Sequence, residues 1–184
     1  AGAHKSRSGS LEFGDLIFLP KSPQEAIEAK IAYCSEDRKH DGLFLGRPIM
    51  ENISAPCLKS ISNFGIRSGA AEKELSRDIS HKFTVDASRL TSEAGVLSGG
   101  NQQKVALGKW LSINPKVILV NEPTRGVDVG ARAEIYQKLR DLAAQGSAIV
   151  IASTDIQEIT NLPDRVISFY RGAMITEIEL ENMN

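Results

Sequence analysis

The sequence predicts an α/β fold built on a mainly parallel sheet. Two continuous apolar runs, residues 117–120 and 148–152, are separated by a helical pattern, and a further helix and strand follow. Strand, helix, strand, helix, strand in that order calls for parallel strands joined by right-handed crossovers. An earlier apolar segment, residues 31–34, adds a third buried strand.

Taken in order, residues 1–10 are small, polar and Gly/Ser-rich and read as a loose end, while residues 11–19 read as two short strands around Gly14-Asp15. Ser22-Pro23-Gln24-Glu25 supplies an N-cap, a proline in the first turn and an acid at the third position, which starts a helix through about Lys30. After the strand at 31–34, the run Ser35-Glu36-Asp37-Arg38-Lys39-His40-Asp41-Gly42 is too polar to continue it and reads as a solvated turn. Residues 48–83 turn helical, with Leu75, Ile79 and Phe83 on one face. Ser98 is placed to cap a helix over roughly 101–114, stopped by Pro115. Residues 131–144 form a helix with Ile135, Leu139 and Leu142 inward, and Gly146 sits past its end. Asp155 and Glu158 read as a capping box, and residues 166–170 and 174–178 as a hairpin turning at Arg171-Gly172.

Composition narrows the function classes. The chain has 184 residues, and its 22 Lys plus Arg against 23 Asp plus Glu give a net charge of -1, so no bulk basic field holds nucleic acid or an anionic membrane. With 41% hydrophobic residues it can bury a core, and 5% aromatics do not make a stacking platform for single strands. No apolar run approaches the ~20 residues of a membrane span. Cys34 and Cys57 lack ligand spacing, which suits a reducing compartment, and Cys34 reads as core because no base lies near it in sequence. His4, His40 and His81 read as surface residues, and Trp110 as helix packing.

The most informative run is Leu97-Ser98-Gly99-Gly100-Asn101-Gln102-Gln103-Lys104. Its glycines let backbone approach a ligand, Ser98 offers a hydroxyl, and the following helix aims amides and dipole at an anion. A glycine-rich turn capping an amphipathic helix is the alternative. Downstream, the strand at 117–120 ends in Asn121-Glu122-Pro123-Thr124-Arg125-Gly126-Val127-Asp128. Polar residues at the carboxyl end of a buried parallel strand lie where such sheets bind ligands, and a Glu there can orient or deprotonate water.

In this order and spacing the two segments resemble the signature motif, Walker B strand and D-loop of the ATP-binding cassette ATPases. With Ser35-Glu36-Asp37-Arg38-Lys39 and Asp41-Gly42-Leu43, they resemble the C-terminal cassette of fused sugar-importer ATPases of the ribose, galactose and xylose type. The resemblance implies a P-loop NTPase core with a helical subdomain: one domain over 1–184, with core pieces 11–47 and 115–179 around a helical part at about 48–114. It implies ATP and Mg²⁺ in a composite site, with Ser98, Gly99, Gly100 and Gln102 facing a nucleotide held by a partner cassette. Glu122 is implied as the catalytic carboxylate, Asn121 as a weak Mg²⁺ position acting through water, and Asp128 as a contact across the dimer. Glu36 stands at the Q-loop position and Thr154 at the switch position, where a plain strand-end polar residue is the alternative. The implied partners are a P-loop-bearing cassette, an inner-membrane sugar permease and, indirectly, a periplasmic sugar-binding protein, with no nucleic acid. The implied location is the cytoplasmic face of the membrane.

The departures matter equally. No Gly-x-x-x-x-Gly-Lys-Ser/Thr occurs, and Asn121 stands where the family usually has Asp. Since the chain opens at Ala1 rather than Met, we expect a truncation that removes the P-loop and its strand. That loss is expected to open the sheet between 148–152 and 166–170, leaving the isolated chain weakly stable and unable to turn over ATP. A catalytically inactive regulatory or interaction module is the rival reading, favoured by Asn121. A soluble cassette of the translation or DNA-repair type is disfavoured by Glu36 and by Arg125-Gly126-Val127-Asp128.

Overall fold

The computed structural model describes residues 12–13, 16–17 and 19–180. The expected short strands are present as the antiparallel pair β1 (Glu12–Phe13) and β2 (Leu16–Ile17); the loose end at 1–10, with His4, lies outside the described residues. Helix α1 (Pro23–Glu28) starts as predicted, with Ser22 Oγ accepting from the Glu25 amide at 3.2 Å. It stops at Lys30, whose φ of 64° cannot continue a helix, and β3 (Ile31–Cys34) follows.

The charged run after β3 is more than a solvated turn. Arg38–Gly42 winds into one π-helical turn, with Asp37 Oδ1 accepting from the Lys39 and His40 amides at 3.1 Å each. Lys39 and His40 face solvent, but Arg38 turns inward.

The helical stretch predicted at 48–83 is divided. It contains α2 (Ile49–Ser54), a hairpin of β4 (Ser62–Asn63) and β5 (Ile66–Arg67), and α3 (Gly69–Lys82). Pro56 follows α2, and Phe64 and Gly65, at φ 50° and 79°, form a two-residue loop whose twist suits a hairpin. Ile79 and Phe83 are buried as the four-residue spacing predicts.

Helix α4 (Gly99–Gly108) begins at its glycines, two residues ahead of the expected start, and tightens into a 3₁₀ segment ending at left-handed Asn114. Then come β6 (Val117–Asn121), α5 (Val129–Ala144), β7 (Ala148–Ala152), α6 (Ile156–Asn161), and the hairpin of β8 (Arg165–Tyr170) with β9 (Ala173–Glu179). The Asp155–Glu158 capping box forms only in part. Asp155 accepts from the Gln157 amide at 2.9 Å, while Glu158 turns into the interior and accepts from the Thr124 hydroxyl.

Strands β3, β6 and β7 form a parallel sheet in that order, with Cys34 opposite Val120 and Asn121 opposite Ala152. Their carboxyl ends therefore deliver Ser35, Glu122 and Ser153 to one rim. Ala32, Cys34, Ile118 and Val120 join Val105 and Leu107 of α4 and Ile135 and Leu139 of α5 in one buried cluster.

Strand β7 is not the fully buried strand its composition predicts: Val150 is 56% exposed. Among the described residues its only strand neighbour is β6, and β8 pairs with β9 alone. The second edge of β7 thus leaves backbone groups and apolar side chains uncovered.

Candidate functional site

The site is assembled at the rim from three turns, those following β3 and β6 and the one that opens α4. At the α4 turn, Ser98 is extended and exposed, and its Oγ accepts from the Asn101 amide at 3.4 Å. The positive end of the helix dipole therefore lies beside an exposed hydroxyl and the partly exposed Gly99, an arrangement that attracts an anion.

The glycines serve protein packing as well. A methyl group on Gly100 would stand 2.8 Å from Ala131 Cβ, and one on Gly99 would stand 2.9 Å from Arg38 Nη2 and 3.0 Å from the Gly126 carbonyl oxygen. Only glycine lets α4 begin this close to the turn that follows β6. Gln102, grouped in sequence with the nucleotide-facing residues, is buried here. Its Nε2 donates to the Leu97 carbonyl at 3.1 Å, and its Oε1 has no protein partner.

At the end of β6, Asn121 is half-buried and Glu122 has φ 49°, a left-handed conformation that costs a non-glycine residue ~1–2 kcal/mol. The Glu122 amide donates to the Ala152 carbonyl at 2.8 Å. Glu122 Oε1 accepts from both the Thr154 amide, at 2.9 Å, and the Thr154 hydroxyl, at 3.0 Å. Thr154, which the sequence left between a switch position and a plain strand-end residue, thus holds one oxygen of the carboxylate and leaves the other free. Asp128 caps α5, accepting from the Ala131 amide at 2.9 Å.

Glu36 takes a different place from Glu122 and Thr154: its carboxylate is tied to the Arg125 guanidinium. Sequence reasoning missed two further groups. Arg38 reaches the carbonyls of Arg125 and Gly126, and a buried cluster joins Thr124 and Tyr136 to Glu158, whose second oxygen is unpartnered. Both link residues far apart in sequence, so no local spacing marks them.

The donor set does not hold Mg²⁺ unaided. Among the described residues no group of three or more His, Cys, Asp or Glu could hold a metal ion, and Asn121 brings a neutral amide where a carboxylate would favour the cation.

Cys34 is core, as expected: it is 3% exposed, and burial pushes its thiol from the ordinary 9.0 to about 11. Burial likewise lowers the pKa of Lys109, whose ammonium donates to the Gly42 carbonyl. A neutral thiol favoured by the fold adds stability below pH 9.0 that is lost as pH climbs toward about 11. A disulfide reagent at pH 8 is expected to leave Cys34 unmodified in the native chain and to label it after unfolding. Stoichiometric labelling of Cys34 in the native chain would contradict its burial.

Comparison with known proteins agrees with this geometry. The family model described as ABC transporter matches residues 1–125. The chain is 38% identical over its whole length to the ribose import ATP-binding protein RbsA of Jannaschia sp. (strain CCS1), covering 36% of that protein. It is 41% identical to the arabinose import ATP-binding protein AraG of Rhizobium meliloti (strain 1021), over 97% of this chain and 35% of that one. The chain thus spans about a third of the length of these curated relatives. Among solved structures, a nucleotide-free ATP-binding cassette from an ABC transporter superposes with TM-score 0.82 at 21% identity, over 97% of this chain and 72% of that one. A dimeric post-hydrolysis cassette bound to ADP and Pi gives 0.80 at 22% identity, over 97% of this chain and 76% of that one. These likenesses show the ATP-binding cassette fold. With more than half of the chain matched by the family model and relatives 38% and 41% identical over nearly all of it, the chain belongs to the ABC transporter family.

Proposed function

We propose that this chain is the ATP-binding and ATP-hydrolysing part, the C-terminal cassette, of an ABC-type sugar import system, and that it lends its signature turn to a composite ATP site. The observation that carries this reading is the exposed Ser98 hydroxyl at the cap of α4, beside the two glycines that open the helix. A triphosphate needs several backbone amides, a lysine and Mg²⁺ to offset its charge. This chain supplies the signature amides and hydroxyl; a partner cassette supplies the P-loop. The relatives are ribose and arabinose import ATP-binding proteins, which supports the sugar-import reading, and the ADP-bound dimer supports pairing of cassettes.

The chain's own residues have distinct roles in this reading. Ser98, Gly99 and Gly100 meet the terminal phosphate, while Gln102 braces the turn from below. Where a P-loop completes the chain's own half, Glu122 orients water with the oxygen that Thr154 leaves free. Mg²⁺ bound there would neutralise phosphate charge, and Asn121 is the residue that would face it, weakly and through water. Asp128 reaches across the dimer. Residues 48–114 form the helical subdomain, and the uncovered edge of β7 is where the P-loop strand belongs. The assembly works on the cytoplasmic face of the inner membrane, with a sugar permease as direct partner and a periplasmic sugar-binding protein beyond it. Among the described residues no helix is long and apolar enough to cross a membrane.

The second reading, an inactive cassette acting as a regulatory or interaction module, is favoured by Asn121. The two separate in one experiment: the chain is titrated with a P-loop-bearing cassette in the presence of Mg²⁺ with ATP, with ADP or without nucleotide. The composite-site reading expects association only with ATP, and no ATP turnover by the chain alone. Equal association in all three conditions supports the interaction module, and turnover by the chain alone that Glu122→Gln abolishes overturns the assignment.

A further inference from the structure

The loop after β3, the turn after β6 and the start of α4 are joined through one buried cation. Arg38 is 9% exposed; its Nη1 donates to the Arg125 carbonyl at 2.8 Å and its Nη2 to the Gly126 carbonyl at 3.3 Å, while its Nε is buried with no partner. No carboxylate forms an ion pair with this guanidinium among the described residues. A buried charge held only by two carbonyls contributes little to stability, because desolvation offsets much of the attraction. Its planar fork does fix the spacing of its acceptors, which a lysine ammonium cannot reproduce.

What those acceptors carry makes the spacing consequential. The Gly126 carbonyl and Arg38 Nη2 together form the floor under Gly99. Two residues beyond Gly126, Asp128 caps α5, and its Oδ2 would lie 3.4 Å from a methyl group on Gly100. The loop that carries Arg38 is itself held at both ends, by the Glu36–Arg125 ion pair and by Lys109, the first residue after α4, donating to the Gly42 carbonyl. The three turns therefore form one block with Arg38 at its centre.

We propose that Arg38 is a positioning residue. It sets the distance between Asp128 and the Ser98–Gly100 turn, so that a displacement of the loop after β3 moves both as a unit. The link to nucleotide binding rests on the composite-site reading above; the coupling of the three turns does not.

The test uses the full chain and has two arms. In the first, amide hydrogen exchange is compared for wild type, Arg38→Met, Arg38→Lys and Arg38→Gln. Arg38→Met is expected to speed exchange at Val127, Ala131 and Gln102 about tenfold while β3 and β6 stay protected. Arg38→Lys is expected to fail to restore the wild-type pattern. Wild-type exchange in Arg38→Lys means that a point charge suffices and overturns the fork. Should Arg38→Met loosen the sheet as well, Arg38→Gln decides the matter: faster exchange confined to the three turns supports positioning, and faster exchange throughout makes Arg38 a stabilising residue only and overturns it. In the second arm, ATP-dependent association with a P-loop cassette is expected to weaken about tenfold in Arg38→Met, and unchanged association overturns the functional link. If wild type itself does not associate, the composite-site reading fails, while the exchange arm still decides the positioning role.

Discussion

Ser98→Arg folds and melts close to wild type yet loses ATP-dependent association with a P-loop cassette by about a hundredfold, some 2.7 kcal/mol. Its side chain is exposed and its cap hydrogen bond is long at 3.4 Å, so removing the cap costs the fold no more than ~1 kcal/mol. The introduced guanidinium instead occupies the space above the first-turn amides of α4 and blocks a phosphate from reaching them. Calorimetric titration in ATP checks the first half of this expectation, and a thermal melt checks the second. Association at the wild-type level would show that the signature turn is not at the nucleotide, and the composite site would have to be abandoned.

Gly100→Val has the opposite profile, damaging the fold before any question of function arises. The added Cβ meets Ala131 Cβ at 2.8 Å, and that atom is fixed to the backbone of α5 rather than to a flexible chain end. Overpacking of this kind costs ~3 kcal/mol. For a chain of this size that corresponds to a fall in Tm of about 10 °C. Gly100→Ala, with the same first contact and less bulk, is expected to lose about half as much. A Tm within 2 °C of wild type for Gly100→Val, a margin of about 1 kcal/mol at this size, would mean that α4 and α5 part freely. The structure gives them no room to do so, since Lys104 of α4 also pairs with Glu134 of α5.

These two neighbours show how far sequence reading reaches. The run from Leu97 to Lys104 reveals a serine-capped helix start because every group it needs is local: a hydroxyl, two glycines and a helical run. The same run cannot reveal that Gly100 is required by Ala131, because that demand comes from an element that folds against it from outside the motif. The strands at 31–34 and 148–152 are legible to the residue, since a short apolar run between turn signals has one good solution. The hairpin inside 48–83 is not, because the helical period of Leu75, Ile79 and Phe83 extends the reading backwards over Phe64-Gly65. Thr154 and Glu122 lie at the ends of adjacent strands, so parallel pairing alone brings them together, and the sequence could place both at the site. Arg38 and Glu158 could not be found that way. Each sits in a polar stretch that looks solvated, and each owes its burial to partners 87 and 34 residues away.

The left-handed backbone at Glu122 has a consequence for any effort to improve this protein. Glycine would adopt φ 49° without strain, so Glu122→Gly relaxes the main chain while removing the carboxylate that Thr154 holds. Durability and chemistry thus pull in opposite directions at a single position. Selection for heat resistance alone would be drawn to this residue, and under the role proposed for Glu122 each degree gained there would be taken from the reaction.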